Sequence, residues 1–511
     1  MPEQLELKLD VSADGIETLK REPSARRWLK GSGVERGLAF VYLDTRDLAL
    51  HRQGLSFRLS QDGDQAIQTI KGPRRGVLER AETETPYSVG DREHPVAIEA
   101  LLQQLSDRKI PTALRPVFKI RIERTSYRVR GMNVSLDKGR IVSGHRSAPL
   151  CEIELELKGG DRTALFTLAR RISNIVPAEI SLKAKSERGY DLITRSKPGA
   201  IVATETMLWP SITVAEAFQT VCNSCLCQLI ANKAGVRASA SEAFHQMRVA
   251  LTRLDAAMKL FSGIASGLQA DHLAKELKWL RDELTPARDI DVLLTDVLVP
   301  LKKRHPADVE AFYHACLKHK DKEYERVHAA LASARFRMLL LAAAEWIEAG
   351  QWQRETKDNS RLKHKHSARK LVADRLSTFR KKLEEGRHIE EMDPRSLHKF
   401  RLRAKRMRYS MEFSEGLFDD KQNRKRFAGA LASLKSLQSA LGLLNDIAVQ
   451  KAIFDRVAVE RVNQHNSSQK SARSRVARLV FGNQDRRIRK LLKESVEAYQ
   501  EFEHTRRPFW T

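Results

Sequence analysis

The sequence predicts a multidomain α+β chain: an antiparallel β-sheet closed on itself, followed by an all-helical domain built as two similar bundles. Three observations carry that prediction. Hydropathy alternates with period two up to about residue 195, takes a 3.6-residue period from about residue 213, and a basic His/Arg motif occurs twice in the helical part. At 511 residues the chain is too long for one core, and 41% hydrophobic content with 18 Phe and 6 Trp suffices for globular folding.

The strands come first. LELKLDV, GLSFRLS, AIQTIKG, VFKIRIERTSYRV, MNVSLDKGRIV and CEIELELKGG alternate and are separated by Gly, Pro or Asp, with one helical stretch at residues 161–176. In the first strand Gln4, Glu6 and Lys8 share a face opposite Leu5, Leu7 and Leu9. In the last, Glu152, Glu154 and Glu156 lie opposite Ile153, Leu155 and Leu157, while Arg58, Lys71, Arg121 and Lys138 sit on other strands. Pattern alone allows two placements: a solvated outer face, or the inward lining of a polar tunnel.

Residues 196–212 contain two Pro and break the period, which makes them the linker between domains at 1–195 and 213–511. Helical spacing then covers 213–232, 241–263, 267–284, 366–385, 395–417 and 426–445, and the polar stretch 460–476 reads as a loop. HQMRVALTRL (245–254) matches HKFRLRAKRM (398–407), so His245, Arg248 and Arg253 correspond to His398, Arg401 and Arg406. Leu277, Lys278, Leu280, Leu284, Asp289 and Ile290 recur 157 residues later. A divergent duplication accounts for this, with units at about 213–350 and 366–505.

The net charge is +26, and residues 1–200, with 35 Lys and Arg against 27 Asp and Glu, leave +18 of it to residues 201–511. Between 398 and 409, six of twelve residues are Lys or Arg and none is acidic; His398, Arg401, Lys405 and Arg408 share a stripe that repels itself unless an anion lies on it. Aromatics are only 6% of the chain and are not interleaved at base spacing, so specific nucleic-acid reading is disfavoured against an all-phosphate ligand, linear polyphosphate. Cys222, Cys225 and Cys227 have no second ligand pair beside them and read as small core residues. The acidic, alternating N-terminus is no signal peptide, and no apolar run approaches the ~20 residues of a membrane span. A cytoplasmic protein is the expectation.

The alternating half resembles the CYTH, or triphosphate tunnel metalloenzyme, family. The resemblance rests on Gln4-Leu5-Glu6-Leu7-Lys8, YLDT at 42–45, GLSFR at 54–58, Lys71, RAE at 80–82, LDKG at 136–139, CEIELEL at 151–157, Lys185, and RGY at 188–190. The helical half resembles the CHAD family through HQMRVALTRL, ARDIDV at 287–292, and HKFRLRAKRMRY. The first resemblance implies an eight-stranded β-barrel whose tunnel holds a triphosphate, with Mg²⁺ or Mn²⁺ on carboxylates, and so favours the tunnel placement. Carried over by position, Lys8, Arg58, Lys71, Arg124 and Lys185 bind phosphate; Glu6, Glu152, Glu154 and Glu156 hold metal; and Glu6, Lys8 and Glu154 are catalytic. The second resemblance implies a polyphosphate-binding groove made by His245, Arg248, Arg253, His398, Arg401, Lys405, Arg406 and Arg408, and hence association with polyphosphate granules.

The chain departs from the first pattern at Gln4, where the motif begins with Glu, and at Ser56, where a second Arg is expected. Glu3 cannot replace the lost carboxylate, because one step along a strand reverses the face. In the helical half Thr252 stands opposite Lys405, and Arg288 opposite Asn445. The function implied is a metal-dependent inorganic triphosphatase, acting on tripolyphosphate or a related nucleoside triphosphate, with a polyphosphate-binding domain. The alternative is a binding protein of weakened catalysis recruited to polyphosphate bodies.

Overall fold

A computed structural model describes residues 3–29, 33–62, 65–87, 114–206, 208–355, 366–418, 421–462, 467–504 and 510. The chain divides into two compact units, residues 1–198 with 333–350, and residues 199–332 with 351–511.

The first unit is built on nine antiparallel strands: β1 (Glu3–Asp10), β2 (Val34–Asp44), β3 (Ser56–Asp62), β4 (Gln65–Arg75), β5 (Glu79–Tyr87), β6 (Arg115–Val129), β7 (Met132–Ser143), β8 (Arg146–Leu157) and β9 (Glu179–Ser181). Their order is β5-β4-β3-β2-β6-β7-β8-β1-β9, and an additional β5–β1 pairing closes eight of them into the barrel that the sequence implies. That seam is short: Glu3 pairs with Ala81, Gln4 with Arg80 and Leu5 with Glu79.

Alternation decides what lines the bore. Lys8 pairs with Glu154, and Glu154 with Ser135; Asp137 pairs with Glu152 and with Arg124, so all of these share one face. Leu7, Leu9, Ile153 and Leu155 point the other way and are fully buried. They are covered by α1 (Ala13–Arg21), which brings Ile16 and Leu19, and by α4 (Arg162–Ile175), which brings Leu165, Phe166 and Ile172. Short helices α2 (Pro23–Trp28) and α3 (Ala49–Arg52) fill the β1–β2 and β2–β3 connections.

Farther along the same bore face Phe40, Tyr42, Phe118, Ile120, Ile122, Ile141 and Leu150 form an apolar cluster. Helix α5 (Lys185–Thr194) packs into it through Tyr190, edge-on to Phe118. Gly189 allows that approach, since a Cβ there would sit 2.1 Å from the Phe118 ring. Charge and hydrocarbon thus divide the interior lengthwise, and α5 contributes to both parts.

The second unit holds α6 (Val214–Ala231), α7 (Lys233–Arg237), α8 (Ser241–Leu260), α9 (Leu268–Val292), α10 (Val299–Arg304) and α11 (Pro306–Ala332). After α12 (Ala334–Glu348), which belongs to the first unit, come α13 (Gln351–Glu355), α14 (Ala368–Lys381), α15 (Pro394–Ser414), α16 (Lys421–Val462), α17 (Ser467–Phe481) and α18 (Gln484–Glu503). Starts are chemically marked: Thr213 and Glu216 form a capping box on α6, and Asp393 accepts from Arg395 N and Ser396 N ahead of Pro394 on α15. The duplicated helices pack together, α8 on α15 and α9 on α16.

Two expectations change here. The stretch read as a loop is largely helix, because α17 begins at Ser467 and its Val476 enters a core with Ile290, Phe312 and Phe454; residues 463–466 lie outside the described ones. By length and composition Asn423–Val457 of α16 could cross a membrane, although no such run was evident in the sequence; its Leu434, Leu437 and Leu441 are buried in this unit's core. Cys222 and Cys225 are also fully buried, and burial pushes the Cys225 thiol up to about 11, so they pack as small hydrophobes.

Candidate functional site

Inside the barrel three cations meet four carboxylates. Lys8 Nζ lies 2.6 Å from Glu154 Oε1, 2.9 Å from Glu6 Oε1 and 3.5 Å from Glu152 Oε1. Lys185 Nζ, on the first turn of α5, is 2.6 Å from Glu152 and from Glu154 and 2.8 Å from Asp137. Arg124 donates through Nε and Nη2 to both oxygens of Asp137, at 2.7 and 2.6 Å, and through Nη2 to Glu154 at 2.6 Å. Asp137 and Glu152 have no solvent exposure at all.

Burial opposes the charges of Glu6, Lys8, Arg124, Glu154 and Lys185, and the neighbours overrule it. Glu154 is held well below the ordinary carboxylate range because Lys185, Lys8 and Arg124 outweigh its desolvation; Glu6 is lowered chiefly by Lys8. Against the same desolvation Lys8 is raised by Glu154, and Lys185 by Asp137, Glu152 and Glu154. These four remain ionised through neutral pH. Desolvating such a set is costly unless every partner is in place, and well-packed apolar side chains would serve stability at least as well. A ligand explains the arrangement better than folding does.

The remaining predicted residues divide between the bore and its surroundings. Lys71 acts electrostatically on Glu6 and Glu154, and the Arg58 guanidinium lies 4.7 Å from the centre of the Phe40 ring. Ser56, buried and paired with Lys71, shares the face of Arg58. Glu156 stands apart, bonded to Asn133 Nδ2 and Lys158 Nζ. Arg121 is exposed on the outer face and Lys138 bonds Glu17 of α1, so neither of these two enters the bore. Asp137, one residue before Lys138, was missed; the register that sets it beside Glu152 was its only signal. Glu3 and Gln4 belong to β1, but their side chains lie outside the described ones.

The donor set fits a divalent cation. Ligand oxygens of Asp137, Glu152 and Glu154 all lie within 4.8 Å of one another, and buried Glu152 Oε2 has no hydrogen-bond donor among the described residues. An all-carboxylate oxygen set suits a hard ion such as Mg²⁺ or Mn²⁺.

The helical unit gathers a second cluster. His245 and Arg248 of α8, Arg288 and Asp289 of α9, Arg401, Lys405 and Arg408 of α15, and Asp446 of α16 act on one another. Arg248 Nη1 donates to Asp289 at 3.3 Å, Arg408 binds Gln438 at 2.8 Å and Glu412 at 2.7 Å, and His398 Nδ1 lies 3.1 Å from Asn445 Oδ1. Cations prevail here. Burial, then Arg401, Arg248 and Arg408, push the Lys405 ammonium down to about 7, against the pull of Asp446. Burial likewise lowers Arg248 and Arg401.

Two predicted members point elsewhere. Arg253 is buried over the Phe413 ring at 5.0 Å and meets the cluster at its edge, through Glu412 and the Tyr409 ring, both of which it shares with Arg408. Arg406 lies over Phe379 of α14. Arg288 joins instead, and the duplicated Asp289 and Asp446 were legible as a repeat but not as members of the site.

Two family models match the chain, and they follow this division except at α12, which the second match includes. The model of the CYTH domain matches residues 3–190 and that of the CHAD domain residues 220–455. The chain is 27% identical over 200 residues to an inorganic triphosphatase from Haemophilus influenzae, a match covering 37% of this chain and 55% of the relative's length. Among solved structures, the CHAD domain from Ricinus communis aligns at 26% identity with a TM-score of 0.48, covering 57% of this chain and 96% of that one. A Hippeastrum protein described by its dominant triphosphatase activity aligns at 15% identity with a TM-score of 0.30, covering 37% of this chain and 96% of that one.

Proposed function

The chain belongs to the CYTH and CHAD families in tandem, and on that footing we propose that it is a divalent-metal-dependent inorganic triphosphatase. The observation that carries the reading is the desolvated set of Lys8, Arg124 and Lys185 against Asp137, Glu152 and Glu154. Ligand-free, these groups neutralise one another. With substrate, the cations would turn to phosphate oxygens and leave Asp137, Glu152 and Glu154 able to hold a metal. Lys8, Arg124 and Lys185, with Arg58 and Lys71 beside them, grip the phosphates; Asp137, Glu152 and Glu154 would hold Mg²⁺ or Mn²⁺, flanked by Glu6 and its cross-strand partner Glu156. A bound ion would draw charge from the phosphate oxygens and fix their orientation. The side chains do the rest by position: permanently charged Lys8 and Lys185 stabilise the leaving phosphate without moving a proton.

Incubating the protein with tripolyphosphate and Mg²⁺ or Mn²⁺ tests this. Orthophosphate release supports it, and no release with either metal removes the enzymatic part. Ser56, buried on the bore face where an Arg is expected, favours the alternative of a binding protein with weakened catalysis. A Gln4→Glu, Ser56→Arg double variant with greatly increased turnover favours that alternative; unchanged turnover argues against it.

For the helical unit the proposed ligand is inorganic polyphosphate, held by His245, Arg248, Arg288, Arg401, Lys405 and Arg408, with association with polyphosphate granules in the cytoplasm as the cellular consequence. A prediction follows from Lys405. In the free protein it loses its proton near pH 7, and a phosphate chain beside it raises that value, so binding above pH 7 takes up a proton. Affinity is expected to weaken by up to about tenfold per pH unit above neutrality. Calorimetry in two buffers of different ionisation heat should show net proton uptake at about pH 8 that is lost in Lys405→Met, whereas uptake by His245, lowered by burial and Arg288, belongs to the more acidic range.

A further inference from the structure

Helix α12 lies in the middle of the helical half of the sequence yet is a component of the barrel unit. It carries two buried carboxylates, Glu345 and Glu348, each only 4% exposed. Glu345 makes a two-pronged ion pair with Arg170 of α4, which ties α12 to that helix. Glu348 does something different. Its Oε2 meets Arg162 Nη1 at 3.3 Å, while its Oε1 accepts the backbone N–H of Val77, 271 residues away in sequence, at 3.0 Å.

Val77 belongs to the turn joining β4 to β5, and that turn is buried: Val77 is 1% exposed and Leu78 not at all. Arg74 Nη1 donates to Val77 O at 2.6 Å, and Leu78 O accepts from Glu6 N at 3.0 Å. The next residue, Glu79, opens the three-residue seam with β1. One line of hydrogen bonds therefore runs from Glu348 through the turn to the backbone of Glu6, at the place where the barrel closes. Glu6 and Lys8 of β1 stand across this seam from the β4 strand that carries Lys71, and Lys71 acts electrostatically on Glu6.

We propose that Glu348 is a positioning residue for the phosphate site, holding the 76–78 turn so that β1 presents Glu6 and Lys8 in register with Lys71. This rests on the barrel's being a triphosphate site. It also makes residues 333–350 a working part of the barrel, so the two functions cannot be separated by cutting the chain at the linker.

The test uses the full chain with Glu348→Ala and Glu348→Gln. Gln keeps an oxygen for the Val77 N–H and loses the charge toward Arg162; Ala loses both. In Glu348→Ala, amide exchange should quicken in peptides spanning 3–10 and 72–80 but not in 334–348. Its affinity for tripolyphosphate in the presence of Mn²⁺ should fall about tenfold, the scale seen when groups that orient a site are removed. Glu348→Gln should return both readouts to within about threefold of the parent, because the accepting oxygen is kept. Parental exchange and affinity in Glu348→Ala, or equal impairment in Glu348→Gln, overturns the proposal. If Glu348→Ala does not fold, Glu348→Asp, one methylene too short to reach Val77, is read the same way. Exchange and binding need no turnover, so a parent chain that binds tripolyphosphate without hydrolysing it sinks the enzymatic reading and leaves this test intact.

Discussion

Glu154→Gln is expected to slow orthophosphate release from tripolyphosphate at least about 100-fold, the upper end of what losing a ligand-orienting group costs. Glu154 is the residue on which the barrel's chemistry converges. Lys8 and Lys185 each contact one of its oxygens at 2.6 Å and Arg124 contacts the other, while Asp137 and Glu152 share its candidate metal position. Gln matches its shape but brings no charge, so it weakens the hold on metal and leaves three cations with fewer counter-charges. Breaking a buried ion pair from one side costs roughly 3–5 kcal/mol, so the ligand-free variant should unfold more readily than the parent. Tripolyphosphate supplies the missing negative charge and should recover much of that loss. Phosphate-release assays and denaturant unfolding with and without tripolyphosphate check both halves. Parental turnover in a folded variant would contradict the assignment. The same carboxylates set an acid limit: Glu154 and Glu6 have lowered values in the folded chain, so the stability they contribute is complete above their ordinary 4.5 and is lost as pH falls through the lower folded values.

Arg401→Met is expected to make the ligand-free protein more stable and its grip on polyphosphate weaker. Arg401 is largely buried, its Nε has no hydrogen-bond acceptor among the described residues, and burial together with Arg248 disfavours its charge more than Asp446 and Asp289 favour it. Exchanging it for an apolar side chain of similar length relieves that repulsion, a gain of about 1–2 kcal/mol at the modest end of such replacements. The same change deletes one charge-assisted contact to phosphate, worth about 1.5–3 kcal/mol, or roughly 10- to 100-fold in affinity. Opposite signs are the diagnostic. A residue kept for the fold alone would lower stability when removed and leave binding untouched. Thermal unfolding and a polyphosphate titration at fixed salt read the two effects separately.

Much of this was legible because strands advertise their faces. Leu5, Leu7 and Leu9 against Glu6 and Lys8, and the matching run in β8, announce a sheet with one charged side, and the family motifs say that this side turns inward. Single-residue placement is harder. Lys138 was a reasonable candidate for the bore by its charge, yet Asp137 holds the inward position, because only pairing with Glu152 fixes which of two adjacent residues faces in. Helices α1 and α2 escaped notice: each spans few residues, so Ile16 and Leu19 make too brief a stripe to show a period. In α12 the run from Phe336 to Ile347 is buried on nearly every side, which periodicity reports as burial without saying against what. The Glu348–Val77 bond joins residues 271 apart and leaves no local trace.

Under the proposed function, the cations and carboxylates confined in the barrel are partners on loan, to be exchanged for phosphate and metal when substrate arrives. Titrating the full chain with tripolyphosphate, with and without saturating Mn²⁺, tests that exchange directly. Binding should tighten by at least about tenfold when the metal is present, the size of a typical coupling between linked sites, and the gain should vanish in Glu154→Gln. Equal affinity with and without Mn²⁺, or a gain that survives in Glu154→Gln, would contradict it.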